Sequence, residues 1–181
     1  ADIKNFEIVK GSSFQLTNEF FQDLLKMSTY ASVHDAKKAG SEVVKQTDNP
    51  KLAGLIYPLM QAIDEEHLKV DIQYGGIDQR KILMFAREYL PKIGYKARIE
   101  AMTPIIPGLI GEKMSASVED SKIDVLDTEQ EIKRKLNKAF CPEGVVEGNG
   151  VLSFLKHVIM VIKEDNEEEF VIERPEKYGE P

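Results

Sequence analysis

Residues Tyr57–Lys81, YPLMQAIDEEHLKVDIQYGGIDQRK, decide how the rest of the chain is read. At 3.6 residues per turn, Tyr57, Gln61 and Asp64 fall within an arc of roughly 60° on one helix face. Leu52, Ile56, Leu59 and Ile63 gather on the opposite face, so the helix buries an aliphatic stripe while presenting a phenol, an amide and a carboxylate. Leu68 to Tyr74 then reads as a short strand, Gly75-Gly76 as a turn, and Ile77-Asp78-Gln79 as a polar helix start. Paired glycines at such a junction either make a plain tight connection or let an anionic group reach free N–H groups at the positive end of the helix. The polar triad on the preceding helix favours the ligand.

Upstream, Phe6 to Val9 reads as a strand ended by Gly11. Thr17 precedes Phe20, Phe21, Leu24 and Leu25, the spacing of a helix with one buried face. That stripe suits either an internal core or an interface. A second helical stretch covers about 32–46, and Asp48-Asn49-Pro50 turns into the helix that carries Tyr57. Pro58, lying inside that helix, is expected to bend or interrupt it.

Downstream, the helix opened at Gln79 runs to Leu90 and stops at Pro91. Ala97 to Met102 forms a second strand, parallel to the first because a helix separates them. Thr103 to Ser117, rich in Pro and Gly, reads as a loop that holds Lys113-Met114-Ser115-Ala116-Ser117. Thr128 and Glu131 have the reciprocal spacing of a capping box for a helix bearing Ile132, Leu136 and Phe140, ended by Cys141-Pro142. Val151 to Ile162 carries another strong helical face. Glu164 to Glu169 reads as a solvated acidic loop and Phe170 to Ile172 as a late strand.

With 181 residues, 42% of them hydrophobic, the chain suffices for one core, or one plus an appended piece. A net charge of −7 argues against broad adhesion to nucleic acid, including DNA, so an RNA partner needs a local basic patch. Lys37-Lys38, Arg80-Lys81 and the run Lys133, Arg134, Lys135, Lys138 are the candidates, each also readable as a solvated helix face. The single cysteine, Cys141, excludes an internal disulfide and argues against a zinc site. No apolar run reaches membrane-spanning length and no leader opens the chain, so a soluble, cytoplasmic protein with no membrane partner is expected. His34, His67 and His157 lack metal-ligand spacing, and no metal site is assigned.

YPLMQAID, GGIDQRK and KMSAS, in that order, resemble the second half of the catalytic domain in the tyrosyl-tRNA synthetases of the eukaryotic and archaeal cytosolic type. The resemblance covers essentially the whole chain. It implies an α/β fold: the second half of a Rossmann-like class I synthetase core with parallel strands, followed by an α-helical anticodon-binding segment. Residues 1–56 correspond to the connecting insertion that carries the dimer contact and meets the acceptor stem, 57–122 to the second half of the nucleotide-binding core, and 123–181 to the start of the anticodon-binding domain.

The resemblance also implies roles. Asp64 would accept the phenol proton of tyrosine, so that phenylalanine leaves a buried carboxylate unpaired. Taken without the resemblance, Asp64 reads instead as the opening of a surface acidic cluster with Glu65 and Glu66. Tyr57, Gln61 and Gln79 would hold the amino and carboxyl ends of the substrate. Gly76 and Asp78 match positions at the ribose of ATP, where a carboxylate accepts sugar hydroxyl protons. Lys113, with Ser115 and Ser117, would stabilise the charge of departing pyrophosphate from a closing loop, Mg2+ arriving with ATP. Ala116 replaces the second lysine of the full loop pattern, which puts more weight on Lys113. Arg80 and Lys81 are candidate tRNA contacts, and Tyr178 would stack on an anticodon base.

The function implied is ATP-dependent ligation of tyrosine to tRNA(Tyr) by a homodimer. One departure stands out: no His-x-Gly-His signature occurs, so the half-core that carries it is expected to lie before Ala1. The alternatives are a noncatalytic tRNA-binding or protein-interaction fragment, and the sibling tryptophanyl-tRNA synthetase.

Overall fold

The computed structural model describes residues 5–45, 47–111 and 118–172. The chain divides into two compact units, Ala1–Thr103 and Pro104–Pro181.

The first unit begins with a 3-10 turn at Gly11–Ser13, followed by helix α1, Asn18–Ser28. Thr17 caps α1 by accepting a bond from the Phe20 N–H at 3.3 Å, which satisfies one of the orphan donors of the first turn. Helix α2, Val33–Ala39, is opened by a reciprocal cap between Ser32 and Asp35 and gives way to a 3-10 turn at Gly40–Glu42. The helix expected over 32–46 is therefore two shorter pieces, with Gly40 at the break.

Helix α3, Leu52–His67, runs through Pro58, so the proline does not interrupt it. Pro58 is buried with its ring against Gly40, where a Cβ would sit 3.0 Å from the Pro58 Cγ, a tight contact that the glycine avoids. Leu59 and Ile63 are buried as expected, whereas Leu52, at the first turn, is exposed.

Strand β1 spans Ile72–Gly76, later than the Leu68–Tyr74 read from sequence, because the turn at Leu68–Lys69 that ends α3 takes up its first residues. Gly75 and Gly76 are thus not a turn. They are the last two strand residues, paired with Met102 and Thr103 of strand β2, Ile99–Thr103, in a parallel two-stranded sheet. A 3-10 turn at Ile77–Gln79 leads into helix α4, Arg80–Tyr89, which crosses between the two strands. This gives the mixed α/β architecture with parallel strands that the sequence implies.

The core of this unit lies where α1 to α4 meet. Phe20 and Met27 of α1, Ala36 and Ala39 of α2, Ala62 and Ile63 of α3, and Ile82, Phe85 and Ala86 of α4 are all buried there. Each buried Phe, Met or Ile side chain there contributes about 1.5–3 kcal/mol relative to exposure and each alanine less, so α3 is fixed by its aliphatic side and its polar side is left to function. Phe6 to Val9 form no strand and are exposed, with no strand among the described residues paired to them.

In the second unit, the Leu109 N–H donates to the Ser121 carbonyl at 2.9 Å and the Phe140 N–H to the Leu109 carbonyl at 2.7 Å, which ties both ends of the intervening loop to one residue. Helix α5, Glu129–Lys138, has the expected capping box, with the Thr128 N–H bonded to Glu131 Oε2 at 2.7 Å. Lys135 on α5 is buried and pairs with Asp127 at 2.6 Å. The late helical face is one run built from helix α6, Gly150–Phe154, a π turn at Leu155–Ile159 and helix α7, Met160–Asp165. Phe170 to Ile172 are exposed and form no strand, contrary to expectation.

Candidate functional site

The polar face of α3 and the turn after β1 meet. Gln61 Nε2 donates to Gln79 Oε1 at 3.0 Å, and Gln79 Nε2 donates to Asp78 Oδ2 at 3.3 Å. Three residues named from sequence thus form one chain of amides and a carboxylate, bridging eighteen positions between Gln61 and Gln79. The parallel sheet creates this contact, because it delivers the end of β1 beside the middle of α3. Gln61 Oε1 is buried and accepts no bond from any of the described residues. A buried amide oxygen left without a donor costs about 1–3 kcal/mol, which an incoming N–H or ammonium group would recover.

Asp64, one turn further along α3, is half-buried. Its Oδ1 accepts a hydrogen bond from Gln15 Nε2 at 2.8 Å. Burial raises its pKa, while the Gln15 bond and the nearby His67 pull it back down. A carboxylate held in this way is a ready acceptor for a hydroxyl donor, with one oxygen already oriented. Tyr57 is half-exposed at the start of the same face.

Gly76 serves Asp78. A Cβ on Gly76 would stand 2.4 Å from Asp78 Oδ1, so the carboxylate lies folded against the bare α-carbon. The backbone at Gly76 is ordinary extended chain, with φ −71 and ψ 159, so the glycine is there for close approach and not for an unusual turn.

Arg80 is exposed, and Lys81 donates to Ser41 at 2.7 Å and to Glu42 at 2.6 Å. Both line a cleft of about 210 Å³ with Lys38 and Glu88. Lys113, Ser115, Ser117 and Tyr178 lie outside the described residues.

Beside this face α3 carries a second carboxylate of different character. Glu65 is 1% exposed and its Oε2 has no hydrogen-bond partner among the described residues; both carboxylate oxygens of Glu100 on β2 are likewise buried without one there. Burial, reinforced by Glu100, pushes the Glu65 pKa up to about 8, against the opposing pull of Arg98.

Two residues of the site were missed in the sequence. Gln15 lies 49 positions before Asp64 in a non-repetitive segment, and His67, passed over for want of metal spacing, bonds Asp23 at 3.0 Å. Only the placement of His67 one turn beyond Asp64 on the same helix would have drawn attention to it.

The family model for "tRNA synthetases class I (W and Y)" matches residues 1–180. The chain belongs to this family of class I tRNA synthetases. Within it, the chain is 54% identical over 177 residues to the cytoplasmic tyrosine–tRNA ligase of Gallus gallus, covering 98% of this chain and 33% of the relative. It is 53% identical over 184 residues to the corresponding enzyme of Saccharomyces cerevisiae, covering 99% and 47%. Among solved structures, tyrosyl-tRNA synthetase from Archaeoglobus fulgidus complexed with L-tyrosine superposes with a TM-score of 0.77 at 43% identity, covering 94% of this chain and 52% of that one. Tryptophanyl-tRNA synthetase from Aeropyrum pernix shares the fold at 20% identity and a TM-score of 0.63, over 83% and 45% of the two chains. The chain spans roughly a third to a half of the length of the tyrosine–tRNA ligases it matches.

Proposed function

We propose that this chain supplies the tyrosine-selecting half of a cytoplasmic tyrosine–tRNA ligase, which activates tyrosine with ATP and transfers it to tRNA(Tyr). The observation that carries this reading is the Gln61–Gln79 bond, which joins α3 to the turn after β1 at a buried amide oxygen lacking a donor, with Asp64 half-buried one turn away. The α-ammonium group of the substrate would bond Gln61 Oε1, with Tyr57 and Gln79 beside it, and the phenol O–H would donate to Asp64. Tyrosine then meets a complementary acceptor at each end, while phenylalanine leaves Asp64 without its donor. The A. fulgidus enzyme, solved in complex with L-tyrosine, supports the same ligand class.

In this reading Asp78 accepts from the ribose hydroxyls of ATP, kept in place by the gap at Gly76. One oxygen of the tyrosine carboxylate attacks the α-phosphorus, and the bond to pyrophosphate breaks. No protein acid or base is needed, since the nucleophile is already ionised; positioning and charge stabilisation carry the rate. Lys113, Ser115 and Ser117 would stabilise the departing pyrophosphate, with Mg2+ accompanying ATP. Arg80 and Lys81 would meet the acceptor stem and Tyr178 the anticodon.

The division into 1–56, 57–122 and 123–181 and the homodimer belong to the same proposal. The exposed Phe21 and Leu25, one turn apart on α1, support an interface there. Because relatives are two to three times longer, the 181 residues alone should activate tyrosine poorly. Pyrophosphate exchange, compared between this chain and a version extended to the relatives' length, tests the proposal. Strong tyrosine-dependent exchange only in the longer protein is expected, and exchange driven by tryptophan would overturn it.

A further inference from the structure

Asp64 is only as selective as the orientation of its carboxylate, and that orientation comes from a segment with no regular structure. Gln15, the donor to Asp64, sits at the end of the turn that follows Gly11, its N–H bonded to the Gly11 carbonyl at 2.9 Å. A Cβ on Gly11 would lie 2.9 Å from Gln15 Oε1, so the side chain lies over that bare α-carbon. The bond from the Gln15 N–H to the Gly11 carbonyl is local and does not itself tie the segment to α3. What holds it is its neighbour: the Phe14 ring stacks on the His67 ring, with centroids 6.2 Å apart and planes at 11°. His67 also meets Phe20 at 5.0 Å, and Phe14 meets Phe20 at 5.9 Å, which closes a cluster of three rings.

His67 is in turn fixed in rotation. Its Nε2 lies 3.0 Å from Asp23 Oδ2, and the same oxygen accepts from the Tyr95 hydroxyl at 2.7 Å. The Asp23 and His67 side chains are each only 11% exposed. This one network ties α1, the end of α3 and the segment after α4 together. It converges on the ring that supports Phe14.

We propose that His67 is a positioning residue for substrate selection: locked by Asp23 and stacked on Phe14, it seats the Phe14–Gln15 segment so that the Gln15 amide orients Asp64. The proposal rests on the reading that Asp64 receives the phenol. It adds a residue that never touches the substrate.

The test is a double-mutant cycle read by 13C NMR titration of the Asp64 carboxyl group in the 181-residue chain, with no substrate present. Two effects of His67 must be separated, since its charge acts on Asp64 directly and its ring acts through Gln15. His67→Phe removes the charge and keeps a ring to stack on; His67→Ala removes both. With Gln15 present, the Asp64 midpoint should lie higher in His67→Ala than in His67→Phe, because loss of the donor destabilises the carboxylate. In a Gln15→Ala background that difference should vanish. Equal midpoints with Gln15 present, or a difference that persists without it, would overturn the proposal. If His67→Ala fails to fold, His67→Leu replaces it, keeping apolar volume without a ring.

In the protein of relatives' length, His67→Ala should raise KM for tyrosine several-fold, up to about tenfold, as expected for one misdirected hydrogen bond, and leave KM for ATP unchanged. His67→Phe should restore most of that loss. Equal increases in both KM values would mark a merely structural role. Retention of tyrosine over phenylalanine by Asp64→Asn would instead remove the tyrosine reading and leave the titration result untouched.

Discussion

Replacing Glu65 with glutamine should stabilise the first unit above neutral pH while leaving it nearly unchanged in mild acid. Glu65 is 1% exposed, one carboxylate oxygen lacks any partner, and burial together with Glu100 raises its pKa from the ordinary 4.5 to about 8. In the unfolded chain the carboxyl group ionises near its ordinary value, whereas the folded chain retains the proton until about pH 8. Between these points unfolding releases a proton, so stability falls as pH rises, by about 1.4 kcal/mol per pH unit. Carried across that window, the loss attributable to Glu65 is of order 4 kcal/mol near pH 8, a large share of the 5–15 kcal/mol typical of a domain. Glutamine keeps the shape and carries no ionisable group. Urea unfolding followed by the methyl resonances of Ile63 on α3, at pH 5 and at pH 8.5, measures the effect unit by unit. The variant and the parent should match within about 1 kcal/mol at pH 5 and differ by several kcal/mol at pH 8.5, in favour of the variant. Parallel stability profiles, or a variant less stable at pH 8.5, would refute the reasoning.

Three further outcomes are expected. Gly76→Ala should displace the Asp78 carboxylate, which lies 2.4 Å from where the methyl group would go, and weaken ATP binding more than tyrosine binding in calorimetry of the protein of relatives' length. Thr128→Ala should cost the second unit about 1 kcal/mol by removing the cap of α5, measurable as a lower urea midpoint of that unit. Gly150→Ala should destabilise the same unit by roughly 1–3 kcal/mol or more, because the new Cβ would stand 2.4 Å from the Gly108 carbonyl oxygen, a backbone atom that cannot rotate away; thermal unfolding checks it.

What was legible in the sequence was what depends on local spacing. The face of Tyr57, Gln61 and Asp64, the capping box at Thr128 and Glu131, and the strand–helix–strand unit around α4 all follow from periodicity or from pairs three or four residues apart. What was not legible depends on distant partners. Gly75 and Gly76 look like a turn until Met102 and Thr103 arrive to pair with them. Phe6 to Val9 and Phe170 to Ile172 have strand composition but pair with no strand among the described residues. Pro58 is a helix breaker by type, yet α3 continues past it, and its ring packs against Gly40 eighteen positions earlier, a contact no local pattern announces. The site divides the same way: Gln61 and Asp64 could be placed from helix geometry, whereas Gln15 and the His67–Asp23 bond join positions 49 and 44 residues apart, and no local pattern marks them.

If the Asp64 carboxylate on α3 distinguishes a phenol from a bare ring, amino-acid-dependent pyrophosphate exchange in the protein of relatives' length reads out that choice. The parent should use tyrosine far better than phenylalanine, and Asp64→Asn should lose most of that preference through tyrosine, with the rate on phenylalanine little changed. An Asp64→Asn variant that still strongly prefers tyrosine would contradict the account.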